Sequence, residues 1–110
     1  MQESLDQIQS KGGEATGELI NAIDDGVIEK TIESVEKDIG PIEVLIYNLG
    51  AQSGMKLLDE TSYKEFEWGW RMASFGLFRA AKTLCPLMSE RGSGTIIATV
   101  SYTHLRAHET

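Results

Sequence analysis

A chain of 110 residues, 41% hydrophobic and 25% charged, has ordinary globular composition and room for one small domain. Its net charge of −7 and pI near 4.7 disfavour nucleic acid and anionic membrane surfaces as partners, and none is expected, because those need clustered Lys and Arg. The single cysteine, Cys85, excludes a disulfide framework and a cysteine-rich zinc site. No apolar stretch approaches the roughly 20 residues of a bilayer span and no signal peptide opens the sequence, so the expected setting is cytoplasmic and reducing.

Leu5, Ile8 and their polar neighbours read as the end of a helix, closed by Lys11, Gly12 and Gly13. Residues 15–22 (ATGELINA) read as a short strand. Asp24 or Asp25 is expected to cap the following helix by accepting its free N–H groups. In that helix Ile28, Ile32, Val35 and Ile39 form one apolar stripe on a period of about 3.6 residues. Glu33 and Lys37 are placed to pair on the wet side, and Gly40-Pro41 stops the helix.

Residues 44–47 (VLIY) form an uninterrupted apolar run, the pattern of a parallel strand covered on both faces. Residues 48–54 read as a loop at its carboxyl end. Residues 62–91 form a long helix whose core stripe is expected to include Phe66, Trp70, Ala73, Leu77, Ala80, Ala81, Leu84 and Leu87. Cys85, in the apolar run 84–87, is expected to be a buried, inert thiol. Residues 92–94 (GSG) break the helix, and residues 95–99 (TIIAT) are a β-branched strand. Alternating helices and strands predict an α/β fold with a parallel sheet and crossover helices.

Residues 40–50 (GPIEVLIYNLG) and 92–99 (GSGTIIAT) resemble the short-chain dehydrogenase/reductase family. That family carries Gly-Pro-Ile-Asp-Val-Leu-Val-x-Asn-Ala-Gly at its fourth strand and Gly-x-Ile-(Ile/Val) at its fifth. Phe66, Trp70 and Gly76 also stand at family-like positions of the intervening helix. The resemblance runs from about Leu5 to Thr99. It implies an incomplete Rossmann-type doubly wound sheet, three strands with crossover helices, and NAD or NADP as the cofactor of the parent enzyme. The parent would transfer hydride between the nicotinamide and an alcohol or carbonyl substrate.

Ligands of open α/β sheets bind beyond the carboxyl ends of the strands. The resemblance therefore implies cofactor contacts at Asn48, Leu49 and Gly50, where Gly50 admits a ribose and Asn48 also ties neighbouring strands. Asn21 and Ala22 stand where the family has Asp-Val after its third strand, and the Asn amide carbonyl can still accept from an adenine amino group.

Three departures from the family pattern bear on activity. Strand one with its glycine-rich pyrophosphate loop is absent, and a complete fold needs two βαβαβ halves, more chain than this. Ala73 stands where the family commonly has a catalytic Asn, and it cannot relay a proton. The family's catalytic Tyr-x-x-x-Lys should follow strand five, where the tyrosine is the general acid/base and the lysine lowers its pKa. The chain is thus expected to be inactive alone, with no catalytic or metal-ligating residue of its own. An alternative reading, supported by Ala73, is a non-catalytic Rossmann-like binding domain. A flavodoxin-like receiver lacks the acidic cluster it would need.

Residues 100–110 (VSYTHLRAHET) offer Tyr102 with Arg106, Ser101, and the His104/His108 pair as mimics of catalytic or metal motifs. The segment resembles the translation of a transposase adapter used in sequencing libraries. It is therefore set apart from fold and function, leaving residues 1–99 as the partial domain. Tyr102 also follows its strand too closely, and arginine is no substitute for the lysine.

In the doubly wound order the third strand borders the second and the fourth borders the first. A piece holding the third to fifth strands keeps only the last pairing, so exposed edges and marginal stability are expected. In the family such long helices often build a dimer interface, and Trp68, off the Phe66/Trp70 stripe, suits one; packing beneath the missing C-terminal half suits it equally.

Overall fold

Apolar residues spaced three and four apart drive the two helices that make the core. In the computed structural model, which describes residues 1–50 and 56–99, these are α2 (Val27–Asp38) and α4 (Gly76–Arg91). They lie against a two-stranded parallel sheet of β1 (Val44–Tyr47) and β2 (Thr95–Ala98), in the register Val44↔Thr95 to Tyr47↔Ala98. Ile28 and Ile32 from α2, Tyr47 from β1, and Ala80, Leu84 and Met88 from α4 are buried together. The remaining elements are α1 (Gln2–Ser10), a single 3₁₀ turn (Leu58–Glu60) and α3 (Tyr63–Trp70).

The sequence-based fold class holds, with one strand fewer than expected. Residues 15–22 form no strand. A strand needs a neighbour for its N–H and C=O groups, and no neighbour is present among the described residues. Leu19 is 85% exposed there. Among the described residues the sheet is also covered on one face only. Leu45 and Ile96 pack beneath the helices, whereas Val44, Ile46 and Ile97 are exposed. The VLIY run is the imprint of a two-sided environment, of which these residues supply one side.

The long helix is continuous but not uniform. Ser62 caps α3 by accepting the Glu65 N–H at 3.1 Å, and the Glu65 carboxylate accepts the Ser62 N–H in return. Such a box contributes about 1 kcal/mol. Between α3 and α4 lies a wide π turn, Arg71–Phe75, in which the Gly76 N–H reaches the Arg71 carbonyl five residues back. A π turn holds one residue more than an α turn, so it shifts the phase of everything beyond it.

That shift corrects two expectations. Phe66 and Trp70 are 70% and 48% exposed, not core. They continue into Phe78 and Cys85, both exposed, while Gly76, Ala80, Leu84 and Met88 turn inward. An uninterrupted 3.6-residue period would have aligned Trp70 with Leu77 and Leu84 instead. Cys85 is consequently not the buried thiol its apolar neighbours suggested.

α4 ends on Gly92, whose φ of 80° is the left-handed cap that suits glycine. α2 begins on Gly26, also left-handed, and neither Asp24 nor Asp25 caps it. The Asp25 carboxylate is drawn away by two arginines described below. Glu33 and Lys37 form no ion pair among the described residues; Glu36 is the acid of α2 that does. It receives Arg91 at 2.8 and 3.1 Å and the Ile42 N–H at 2.7 Å. Arg91 also donates to the Ile42 carbonyl at 3.0 Å, so one cluster joins the ends of α2 and α4 to the start of β1.

Hydrogen bonding from Ile42, then from Arg91, holds the Glu36 carboxyl below its ordinary value of 4.5. A carboxylate with a depressed folded-state pKa stabilises fully above the unfolded value, and that contribution is lost as pH falls through the folded value. The urea midpoint should therefore be flat near neutrality and decline below about pH 4.5. Glu36→Gln should flatten the decline, and an unchanged slope would show that Glu36 is uncoupled from folding.

Candidate functional site

The carboxyl ends of β1 and β2 are joined by side chains as well as by the ladder. The Thr99 N–H donates to the Tyr47 carbonyl at 3.1 Å. The Thr99 hydroxyl donates to Asn48 Oδ1 at 2.5 Å. Asn48 thus performs the strand-tying role expected of it, which fixes the backbone leading into Leu49 and Gly50. Asn48 and Gly50 are exposed, and Leu49 is half-buried against the core. A Cβ on Gly50 would meet open space, so this backbone is approachable from solvent. The rest of the expected loop, residues 51–54, lies outside the described residues.

Asn21 and Ala22 stand on the loop before α2. Asn21 is exposed, and its Oδ1 accepts the Ile23 N–H at 3.4 Å. Ala22 packs, like Leu49, against the common core. Both candidate segments are therefore seated on one cluster, although no hydrogen bond joins them among the described residues.

The signal missed in the sequence is what holds the Asn21 loop. Arg71 donates to the Ile23 carbonyl at 3.2 Å and Arg79 to the Asp24 carbonyl at 3.4 Å. Both guanidiniums also reach Asp25 Oδ1, at 3.3 Å and 2.5 Å. Arg79 lies 4.3 Å over the Phe75 ring, and Phe75 stacks on Trp70 with centroids 5.1 Å apart. Arg79, chiefly by its hydrogen bond, pulls the Asp25 carboxyl below its ordinary value. No spacing rule links residues 46 to 55 positions apart, and only the fold brings them together.

Tyr47 is buried at the end of β1, and burial raises its phenol pKa. Its hydroxyl donates to the Met72 carbonyl in the π turn. Ala73 lies in the same turn and is exposed. The described residues contain no group of three metal-ligating side chains and no helix long and apolar enough to cross a membrane. A groove of about 520 Å³ between α2 and α4, lined by Glu29, Phe75, Phe78, Arg79 and Lys82 among others, includes none of Asn21, Ala22, Asn48, Leu49 or Gly50.

This architecture, with parallel strands, crossover helices and an Asn-Leu-Gly at a strand end whose Asn and Gly are exposed, defines a partial Rossmann-type domain. The short chain dehydrogenase family profile matches residues 1–108, and the chain belongs to that family. It is 29% identical over 96 residues to the 5-keto-D-gluconate 5-reductase of Escherichia coli K12, covering 86% of this chain and 37% of that protein. It is 36% identical over 77 residues to the 17-beta-hydroxysteroid dehydrogenase 13 of Rattus norvegicus, covering 67% and 24%. Among solved structures, a 7α-hydroxysteroid dehydrogenase in complex with NADH and 7-oxo glycochenodeoxycholic acid superposes with a TM-score of 0.81 at 22% identity. That match covers 99% of this chain and 40% of the other. A gluconate 5-dehydrogenase from Burkholderia cenocepacia J2315, bound to NADP and tartrate, gives 0.72 at 19% identity, covering 87% and 37%. The chain thus spans well under half the length of these relatives.

Proposed function

We propose that this chain is part of an NAD- or NADP-dependent oxidoreductase that moves hydride between the nicotinamide and an alcohol or carbonyl substrate. The observation that carries the reading is the Asn48-Leu49-Gly50 backbone, fixed by Thr99 at the carboxyl end of a parallel strand in a chain of this family. Asn48, Leu49 and Gly50 would lie along the cofactor, and Asn21 with Ala22 would face its adenine end. Solved relatives held with NADH and with NADP support the cofactor class. Phe66, Trp70 and Phe78, aligned and exposed on one face of the long helix, support a whole protein that is homo-oligomeric through residues 62–91.

The chain itself is expected to be inactive, because no described residue supplies a pyrophosphate loop or an acid/base tyrosine with its lysine. Titration with NADH and with NADPH, followed by nicotinamide fluorescence, should show no saturable binding. Saturable binding at micromolar cofactor would overturn the expected inactivity in binding.

We read residues 1–99 as the natural partial domain and residues 100–110 as adapter-derived. The family match as far as residue 108 weighs on the other side. Sequencing the source DNA across both ends decides this and the chemistry together. A Tyr-x-x-x-Lys on the helix after the Thr95–Ala98 strand supports hydride transfer. Its absence favours a non-catalytic Rossmann-like binding domain, the reading that the exposed Ala73 supports.

A further inference from the structure

A π turn widens a helix by one residue and disturbs its regular hydrogen bonding, leaving a main-chain carbonyl in need of another donor. In this chain the Gly76 N–H goes to Arg71, and the Met72 carbonyl receives the hydroxyl of Tyr47. Tyr47 comes from the sheet, 25 positions earlier, and is itself buried. The approach is possible because residue 76 is glycine. A Cβ there would overlap the Tyr47 hydroxyl and lie 3.2 Å from its Cζ. Tyr47 is also the residue whose carbonyl accepts the Thr99 N–H. One residue therefore touches both strand ends and the π turn.

We propose that Tyr47 is a positioning residue: its hydroxyl latches the Met72 carbonyl, with Gly76 as the keyhole, and so sets the phase of the long helix against the carboxyl end of β1. The latch holds the turn carrying Arg71 and Ala73 within one tyrosine side chain of Asn48. Arg71 in turn holds the loop of Asn21 and Ala22. Both candidate cofactor segments are thereby referred to one phenol. The functional importance of that arrangement rests on the reading of the strand ends as the cofactor side; the latch itself does not.

The test uses the full chain labelled with ¹³C at the methionine carbonyls, of which there are four. Tyr47→Phe keeps the ring and removes only the hydroxyl. The Met72 carbonyl signal is expected to move upfield, as it does when a hydrogen bond is lost, while that of Met88 stays in place. A Met72 signal indifferent to Tyr47→Phe, or already at its random-coil position in the unsubstituted chain, overturns the proposal.

Gly76→Ala supplies an independent measurement. It should lower the urea midpoint when Tyr47 is present and lower it clearly less in the Tyr47→Phe background, where the hydroxyl that the new Cβ would overlap is gone and the core ring is kept. An equal loss in both backgrounds overturns the keyhole. Failure to bind NADH or NADPH touches neither measurement, so it bears on the proposed function alone.

Discussion

Leu84→Ala is expected to abolish the cooperative unfolding transition of this chain. Among the described residues Leu84 is the largest fully buried side chain, and it sits where α2, α4 and β1 meet. Truncating a buried leucine costs roughly 2–5 kcal/mol, because the transfer free energy is lost and the cavity collapses only in part. Whole domains of ordinary size are stable by about 5–15 kcal/mol. The core here is Ile28, Ile32, Tyr47, Ala80, Leu84 and Met88, with large apolar side chains such as Phe66 and Ile46 outside it. A loss of about 3 kcal/mol removes most of what such a core provides. Far-UV circular dichroism against urea should show a sloping, non-sigmoidal curve. Leu58→Ala, at a residue 93% exposed, is the control, with an effect within about 0.5 kcal/mol. A sharp transition retained by Leu84→Ala would show that the cluster is not the centre of stability.

Pro86→Ala should act in the opposite direction on the same helix. Pro86 lies inside α4, on an exposed position. It brings no N–H for the carbonyl four residues back, and its ring crowds that carbonyl, at a cost of about 3 kcal/mol. Replacement also frees the unfolded chain, which returns up to about 1 kcal/mol of that gain. The net expectation is about 2 kcal/mol of added stability, read as a higher urea midpoint and stronger far-UV ellipticity. A lower midpoint would mean that the local distortion at Pro86 is required for α4 to follow α2.

What could be read from the sequence was whatever depends on neighbours along the chain. The Ile28/Ile32 stripe, the arrest of α2 at Gly40-Pro41, the start of α3 at Ser62 and the parallel strands were all legible, because period, cap and branching are local properties. The family resemblance added the candidate site at Asn48. Phe66 and Trp70 were misplaced because a π turn has no composition of its own, and one inserted residue rotates every later position. Residues 15–22 have a strand's side chains without a strand's partner. The Arg71–Asp25–Arg79 clamp and the Tyr47–Met72 bond were invisible for a different reason. They join residues by tertiary proximity alone, and the sequence offers a positive or phenolic side chain without its counterpart.

The register of the two strands has a kinetic consequence. Asn48 and Thr99 lie 51 positions apart, and the ladder pairs share that offset. Ordering so long a segment before any sheet bond forms would carry the full entropy of closing the loop. Helix formation shortens the path, since α-helical residues advance only about 1.5 Å each and form within microseconds. The helical rod from Tyr63 to Arg91 is therefore expected to form early, dock on α2 through Ala80 and Leu84, and bring Thr95 towards Val44. In pulsed hydrogen exchange the β1–β2 amides should accordingly be the last to gain protection on refolding.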